Sequence, residues 1–308
     1  LSVHPLWFFH GSNSAAMKDL SFAAEIACGE FKKDDLSVLD LKISANGKNG
    51  VFDLRPITMH VFGGQGKGSL HADFSGEVPL YSVNFSLPQF PIEEFFKTIS
   101  PQKVAVGRMD FAVNLSMQGK SVREVKQAME GQISLRGGNL MLFGHDLDEI
   151  FSRFDSSQNF NLVDVGAFFL AGPLSLAVTK GYNFTSLFQG SGGSSEIRTL
   201  VSEWKVQRGI AQAQDVAMAT HKNRLALQGG LDFVHEEFRD VTVALIDAKG
   251  CTEVRQKVRG TFQEPVVEQP SILRALSGPV LELLQKGRDL FPGGECEVFY
   301  TGSVGPPR

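Results

Sequence analysis

The residue pattern predicts a mainly β fold: an antiparallel meander or curved sheet whose apolar face forms a groove, with a few short helices. Three observations carry this expectation. Apolar and polar residues alternate with period two in stretch after stretch, which turns one face of each strand to apolar material and the other to water. Glycine, 32 of 308 residues, falls at the ends of these stretches, where tight turns need it. The 25 Phe stand against only 3 Tyr and 2 Trp, so nearly every aromatic ring lacks a polar handle and suits apolar contact.

Taken in order, the first clear strand carries Tyr81, Val83, Phe85 and Leu87 between Ser82, Asn84 and Ser86. The next carries Met109, Phe111, Val113, Leu115 and Met117 between Asp110, Ala112, Asn114, Ser116 and Gln118. Shorter alternations follow at Ile133 and Leu135, Trp204 and Val206, Leu225 and Leu227, and Val241, Val243 and Leu245. Gly107, Gly119, Gly131, Gly209 and Gly250 punctuate them, as expected of hairpins in succession. Helices are expected near 91–99, 121–130, 146–154 and 271–290. Pro91 suits a first turn ahead of Ile92, Phe95, Phe96 and Ile99. Ser121 and Glu124 have capping-box spacing, and Asp146 can cap the third helix. In the fourth, Ile272, Leu273, Leu276, Val280, Leu283 and Leu284 recur at helical spacing, broken by Gly278-Pro279. Gln189 to Ser195 reads as a hairpin tip or soft boundary. The chain thus divides into an N-terminal flank (1–19), a β-rich groove region (20–190), a continuation of the sheet (191–270) and a C-terminal helix and tail (271–308).

Composition limits the partners. Apolar residues make up 42% and charged residues 21%, too apolar for a disordered chain. A net charge of −4 offers no basic face for nucleic acid. The longest nearly apolar run, Val165 to Val178, contains Gly166, Gly172 and Pro173 and falls short of the roughly 20 residues of a spanning helix. The opening, Leu1 to His10, lacks the basic start and apolar stretch of a signal peptide. Because it begins with Leu1, the chain is expected to be a cut-down or processed piece, with any anchor or export signal upstream.

The chemical motifs fail one by one. Gly63 to Ser69 has Gly68 where a phosphate-binding loop would continue into Ser or Thr after Lys67, and its flanks read as strands. Gly190, Gly192 and Gly193 lack the third glycine of a dinucleotide fingerprint. Asp146, Asp148 and Glu149, beside His145, make a negatively charged helix start more simply than a metal site. Asn84, Asn114 and Asn183 each begin a glycosylation-type triplet, yet each sits in a strand-like segment. No catalytic set survives, so no enzyme, cofactor or metal is expected. Of the three cysteines, Cys251 and Cys296 are either bridged or two buried thiols, a bridge contributing about 4 kcal/mol at most, and Cys28 is left over.

The C-terminal third is more specific. Asn223 to Asp232 leads into Phe238 to Asp247, then Lys249 to Gln256, Gly278-Pro279 and Cys296 to Val304. Upstream come Val61 to Gly64, the strand after Pro79, Pro91 to Ile99, Gly119 to Glu124, and the Gly-Gly-Asn and Gly-x-Asp-Leu elements within Gly137 to Leu147. In this order, from Leu20 to Val304, the chain resembles the C-terminal region of the AsmA family of bacterial envelope proteins. The resemblance implies a protein anchored in the inner membrane and facing the periplasm, whose β-rich body forms an elongated groove that holds or conducts lipid and supports outer-membrane lipid homeostasis. It carries no catalytic residues. It also implies an oxidising compartment, and hence a Cys251–Cys296 disulfide.

The expected partners are phospholipid or another amphiphile, with envelope assembly proteins at a sheet edge as the alternative. Parity nominates the lining: Val83, Phe85, Phe111, Val113, Leu115, Leu225, Leu227 and Val243 are expected on one apolar face.

Overall fold

The computed structural model describes residues 17–33, 36–144, 146–152, 169, 192–272, 296 and 298–307. They form one antiparallel sheet in which strands follow each other in chain order. Its strands are β1 (Phe22–Lys33), β2 (Leu36–Lys48), β3 (Val51–Val61), β4 (Gly64–Asp73), β5 (Leu80–Pro91), β6 (Ala105–Gln118) and β7 (Glu130–Phe143). They continue as β8 (Ser194–Gln207), β9 (Ile210–Ala219), β10 (Arg224–Asp232), β11 (Glu237–Ile246) and β12 (Thr252–Gly260). The short β13 (Pro265–Val267) and β14 (Ser271–Ile272) both pair with β12. Period-two sequences can bury only one face, and hairpin connections make each strand the neighbour of the one before it.

Three short helices interrupt the meander among the described residues: α1 (Ile92–Phe96), α2 (Val122–Gln127) and α3 (Leu147–Ser152). The capping box expected at α2 forms, with the Glu124 amide donating to Ser121 Oγ at 3.3 Å and the Lys120 amide to Glu124 at 2.8 Å. At α3 the Glu149 amide donates to Asp146 Oδ1 at 2.9 Å, the capping role expected of Asp146. Expectation and structure part company at 271–290. Ser271 and Ile272 extend the sheet instead of opening a helix, pairing with Arg255 and Val254. A two-residue strand leaves no period to read, and Ile272 also fits the helical spacing of the residues after it. The rest of that span, residues 153–154 of the third helix and His145 lie outside the described residues, as do 1–16 of the N-terminal flank.

Register fixes two faces. Tyr81, Val83, Phe85 and Leu87 pair with Met117, Leu115, Val113 and Phe111, so the apolar residues of β5 and β6 point the same way. Following the ladders outward, that face stays mainly apolar from β1 to β12, with the buried Ser202 and Gln256 as polar members. The opposite face carries the polar set, such as Asn84, Asn114 and Gln132 in one row. Near β8–β11 the polar face changes character: Val201, Ala217, Ala226 and Ala244 pair in a line, and Tyr300 and Val304 pack against them. Cys251 and Cys296 are bonded to each other, with Cα atoms 5.8 Å apart, and Cys28 is free.

Candidate functional site

The candidate site is the apolar face, and its central feature is a row running across the strands. Ile26 pairs with Ile43, Ile43 with Ile57, Ile57 with Gly68 and Gly68 with Phe85. Phe85 then pairs with Val113, Val113 with Ile133 and Ile133 with Trp204. A second row lies beside it through Ala45, Leu54, Leu70, Val83 and Leu115. From β1 to β7 a row of this kind covers about 29 Å, at the usual strand spacing of about 4.8 Å.

Exposure falls along the row. Ile26 is 48% exposed, Ile43, Ile57, Phe85 and Val113 are half-buried, and Ile133 and Trp204 are buried at 8% and 1%. The face is therefore open at one end of the sheet and closed at the other. A hydrogen-bond chain marks the closed end: Trp204 Nε1 donates to Ser202 Oγ at 2.8 Å, and Ser202 Oγ donates to the Phe169 carbonyl at 2.7 Å. Phe169 is itself fully buried in the same core as Trp204. The two sides of the open stretch are flanked by helices. Ile92, Phe95 and Phe96 of α1 pack with Leu87, Phe90 and Met109, while Val125 of α2 packs with Phe52, Ala72, Phe74 and Tyr81.

Glycine shapes the floor. A Cβ on Gly66 would lie 2.7 Å from Phe85 Cζ, and one on Gly68 would lie 2.7 Å from the Asn84 carbonyl and 3.2 Å from the Phe85 ring. These glycines let the Phe85 ring lie flat over β4. The run Gly63 to Ser69, which failed as a phosphate-binding loop, thus serves packing.

The nominated lining residues divide by depth. Val83, Phe85, Val113 and Leu115 are half-buried on the open stretch. Phe111 (7% exposed) stacks obliquely on Phe85, their ring centroids 6.5 Å apart. Leu225, Leu227 and Val243 are buried at 0%, 5% and 1% in the closed part, pairing with Leu245 and with each other. Those three pack as core. Ile26, Ile43, Ile57 and Leu70 complete the open stretch. They were missed because β1–β4 alternate less regularly: bulges shift the register between Leu39 and Lys42, Ile43 and Ala45, and Leu54 and Ile57, and each bulge breaks the period that betrays a strand.

The charged clusters read as structure. Asp148 Oδ1 accepts from Thr220 at 2.5 Å and from Asn223 at 2.6 Å, tying α3 to the β9–β10 turn. Asp232, His235 and Glu237 come close enough to hold a cation. Asp232 is already occupied, however, by Arg239 at 2.8 Å, His235 at 2.9 Å and the Val234 and His235 amides. Burial works against the Asp232 charge, but these partners hold its carboxyl below the usual range. The arrangement is that of a hairpin turn. No helix among the described residues is long and apolar enough to cross a membrane.

No curated protein and no solved structure matches the chain. A family model does: that of the AsmA family, over residues 8–215. The matched span contains the whole open stretch and ends before Asn223, so the passages from 223 to 304 that resemble the family lie beyond it. With more than half of its 308 residues matched, this chain belongs to the AsmA family.

Proposed function

We propose that the protein holds or conducts phospholipid or another amphiphile along the apolar row between Ile26 and Val113. In this reading it works at the cell envelope, facing the periplasm from an inner-membrane anchor outside the chain, and supports outer-membrane lipid homeostasis without catalysing a reaction. The observation that carries the proposal is the fall in exposure along a continuous apolar row, from Ile26 at 48% to Trp204 at 1%. An acyl chain needs a wall with no unsatisfied donors. Ile43, Ile57, Phe85 and Val113 have no side-chain donor, and the strand amides beneath them are committed to the ladders. A contiguous apolar face left half open is the kind of surface that takes a ligand or partner. Family membership agrees with an envelope role.

The test is photo-crosslinking with a phospholipid carrying a diazirine in its acyl chain. Adducts are expected on Ile43, Ile57, Val83, Phe85, Val113 and Leu115. Adducts confined to the polar face would move the site elsewhere.

One observation favours a second reading, a scaffold that binds envelope proteins through a sheet edge. Among the described residues the outer edge of β1, 12 residues long, pairs with no strand, and Phe22 is 36%, Ile26 48% and Phe31 39% exposed. The opposite edge is blunted by the three-residue β13, which begins at Pro265, and by the two-residue β14. Lysine at Ala23 and Ala27, on the polar face of β1, discourages strand addition and leaves the apolar row intact. Lost association with unchanged lipid content would favour the scaffold.

A further inference from the structure

Residues 298–307 lie across the polar face at β8–β11, outside the span that matches the family. Each described contact there is specific. The Phe299 and Tyr300 amides donate to the Gly250 carbonyl at 2.8 and 3.1 Å. Gly250 has φ +85° and no room for a Cβ beside the Tyr300 carbonyl. Tyr300 Oη donates to Asp215 Oδ1, the Ser303 amide donates to Asp215 Oδ2 at 3.0 Å, and the Val304 amide donates to Tyr300 Oη at 3.0 Å. Arg224 is only 5% exposed; it donates to the carbonyls of Val304 at 2.9 Å, Asp247 at 2.7 Å and Ala248 at 3.3 Å, and stands 5.7 Å from the Tyr300 ring. Its Nε has no partner among the described residues. The small side chains of Ala217, Ala226 and Ala244 let Tyr300 and Val304 sit down on the sheet.

The covalent fastening sits at one end of this segment. Cys251 is 5% exposed, whereas Cys296 is open to solvent. We propose that residues 298–307 are a thiol-releasable latch, pinned over the alanine row by the Cys251–Cys296 bond and freed when a dithiol reduces it. The step balances as ordinary exchange. A thiolate of the dithiol attacks the exposed Sγ of Cys296, and Cys251 leaves as a thiolate and takes a proton. The second thiolate then attacks the mixed disulfide, releasing Cys296 as a thiol and leaving the reagent oxidised. While the bond stands, Val298 is two residues from a fixed point. Once it is cut, that covalent point next to the latch is lost, only the backbone and the hydrogen bonds above hold it, and its effective concentration at its site drops. Released, it uncovers the alanine row and leaves Arg224 one carbonyl short.

Hydrogen exchange on the whole chain, with and without a dithiol, tests this. Reduction is followed in parallel by mass labelling of the thiols. Exchange at the amides of Phe299, Tyr300, Ser303 and Val304 is expected to rise at least tenfold on reduction, with the β4–β7 amides unchanged. The Cys251→Ala, Cys296→Ala double variant is expected to show the same pattern without dithiol. Unchanged exchange in fully reduced protein would overturn the latch. So would a rise spread over the whole sheet, which would make the bond a general staple of the fold.

Discussion

At the scale of single residues, depth separates side chains that the sequence treats alike. Val113 and Leu227 share a parity and a face, yet one is half-buried and the other 5% exposed. Alternation reports which way a side chain points; what lies above it is set by distant chain, such as Phe169 over the β8 end, and leaves no local trace. Leu227→Ala is therefore expected to cost about 2–5 kcal/mol in denaturant unfolding, as a deep core truncation. Val113→Ala, with part of its surface already in water, is expected to cost less than half as much. Gly66 makes the complementary case. Its backbone is ordinary strand, so Gly66→Val is opposed by side chains alone, the Phe85 ring 2.7 Å from the new Cβ and Met59 Cγ at 3.3 Å. Overpacking of about 1–3 kcal/mol is expected, together with fewer lipid adducts at Phe85 in the crosslinking experiment.

At the scale of elements, the helices that flank the row were largely legible. Pro91 and the capping box of Ser121 and Glu124 are chemical punctuation, and α1 and α2 begin where they point. The C-terminal segment was legible only as a tail with a cysteine, because its fastening depends on Asp215 and Arg224, more than 70 residues upstream in sequence. That fastening carries a pH dependence. Burial opposes the Asp215 charge, but the hydrogen bonds from Ser303 and Tyr300 outweigh it and hold the carboxyl below its ordinary value. A depressed carboxylate stabilises the fold above the unfolded-chain pKa of about 3.9, and that contribution fades as pH falls through the lower folded value. Burial, and then the bond to Asp215, push the Tyr300 hydroxyl up; a raised pKa adds stability below the unfolded value of about 10, lost as pH climbs beyond it. The difference in melting temperature between wild type and Asp215→Asn is expected to be constant near neutrality and to shrink below about pH 4. A difference independent of pH down to 2 would remove Asp215 from the account.

At the scale of the molecule, the sheet is a graded surface. One long meander in chain order lets a single apolar row pass from β1, the outermost described strand, to a closed core at β8–β12, and the grading gives the row a direction. Global architecture followed from the period-two pattern and the glycine turns; the grading did not, since it arises from coverage. The central claim is that the open part of the row carries lipid. Native mass spectrometry after gentle purification tests it most directly, comparing wild type with Val113→Asp, which places a carboxylate mid-row at a half-buried position. The account predicts co-purifying lipid on wild type and none on Val113→Asp, with matching far-UV circular dichroism. A wild type free of lipid, or a variant that keeps it in full, would contradict the account.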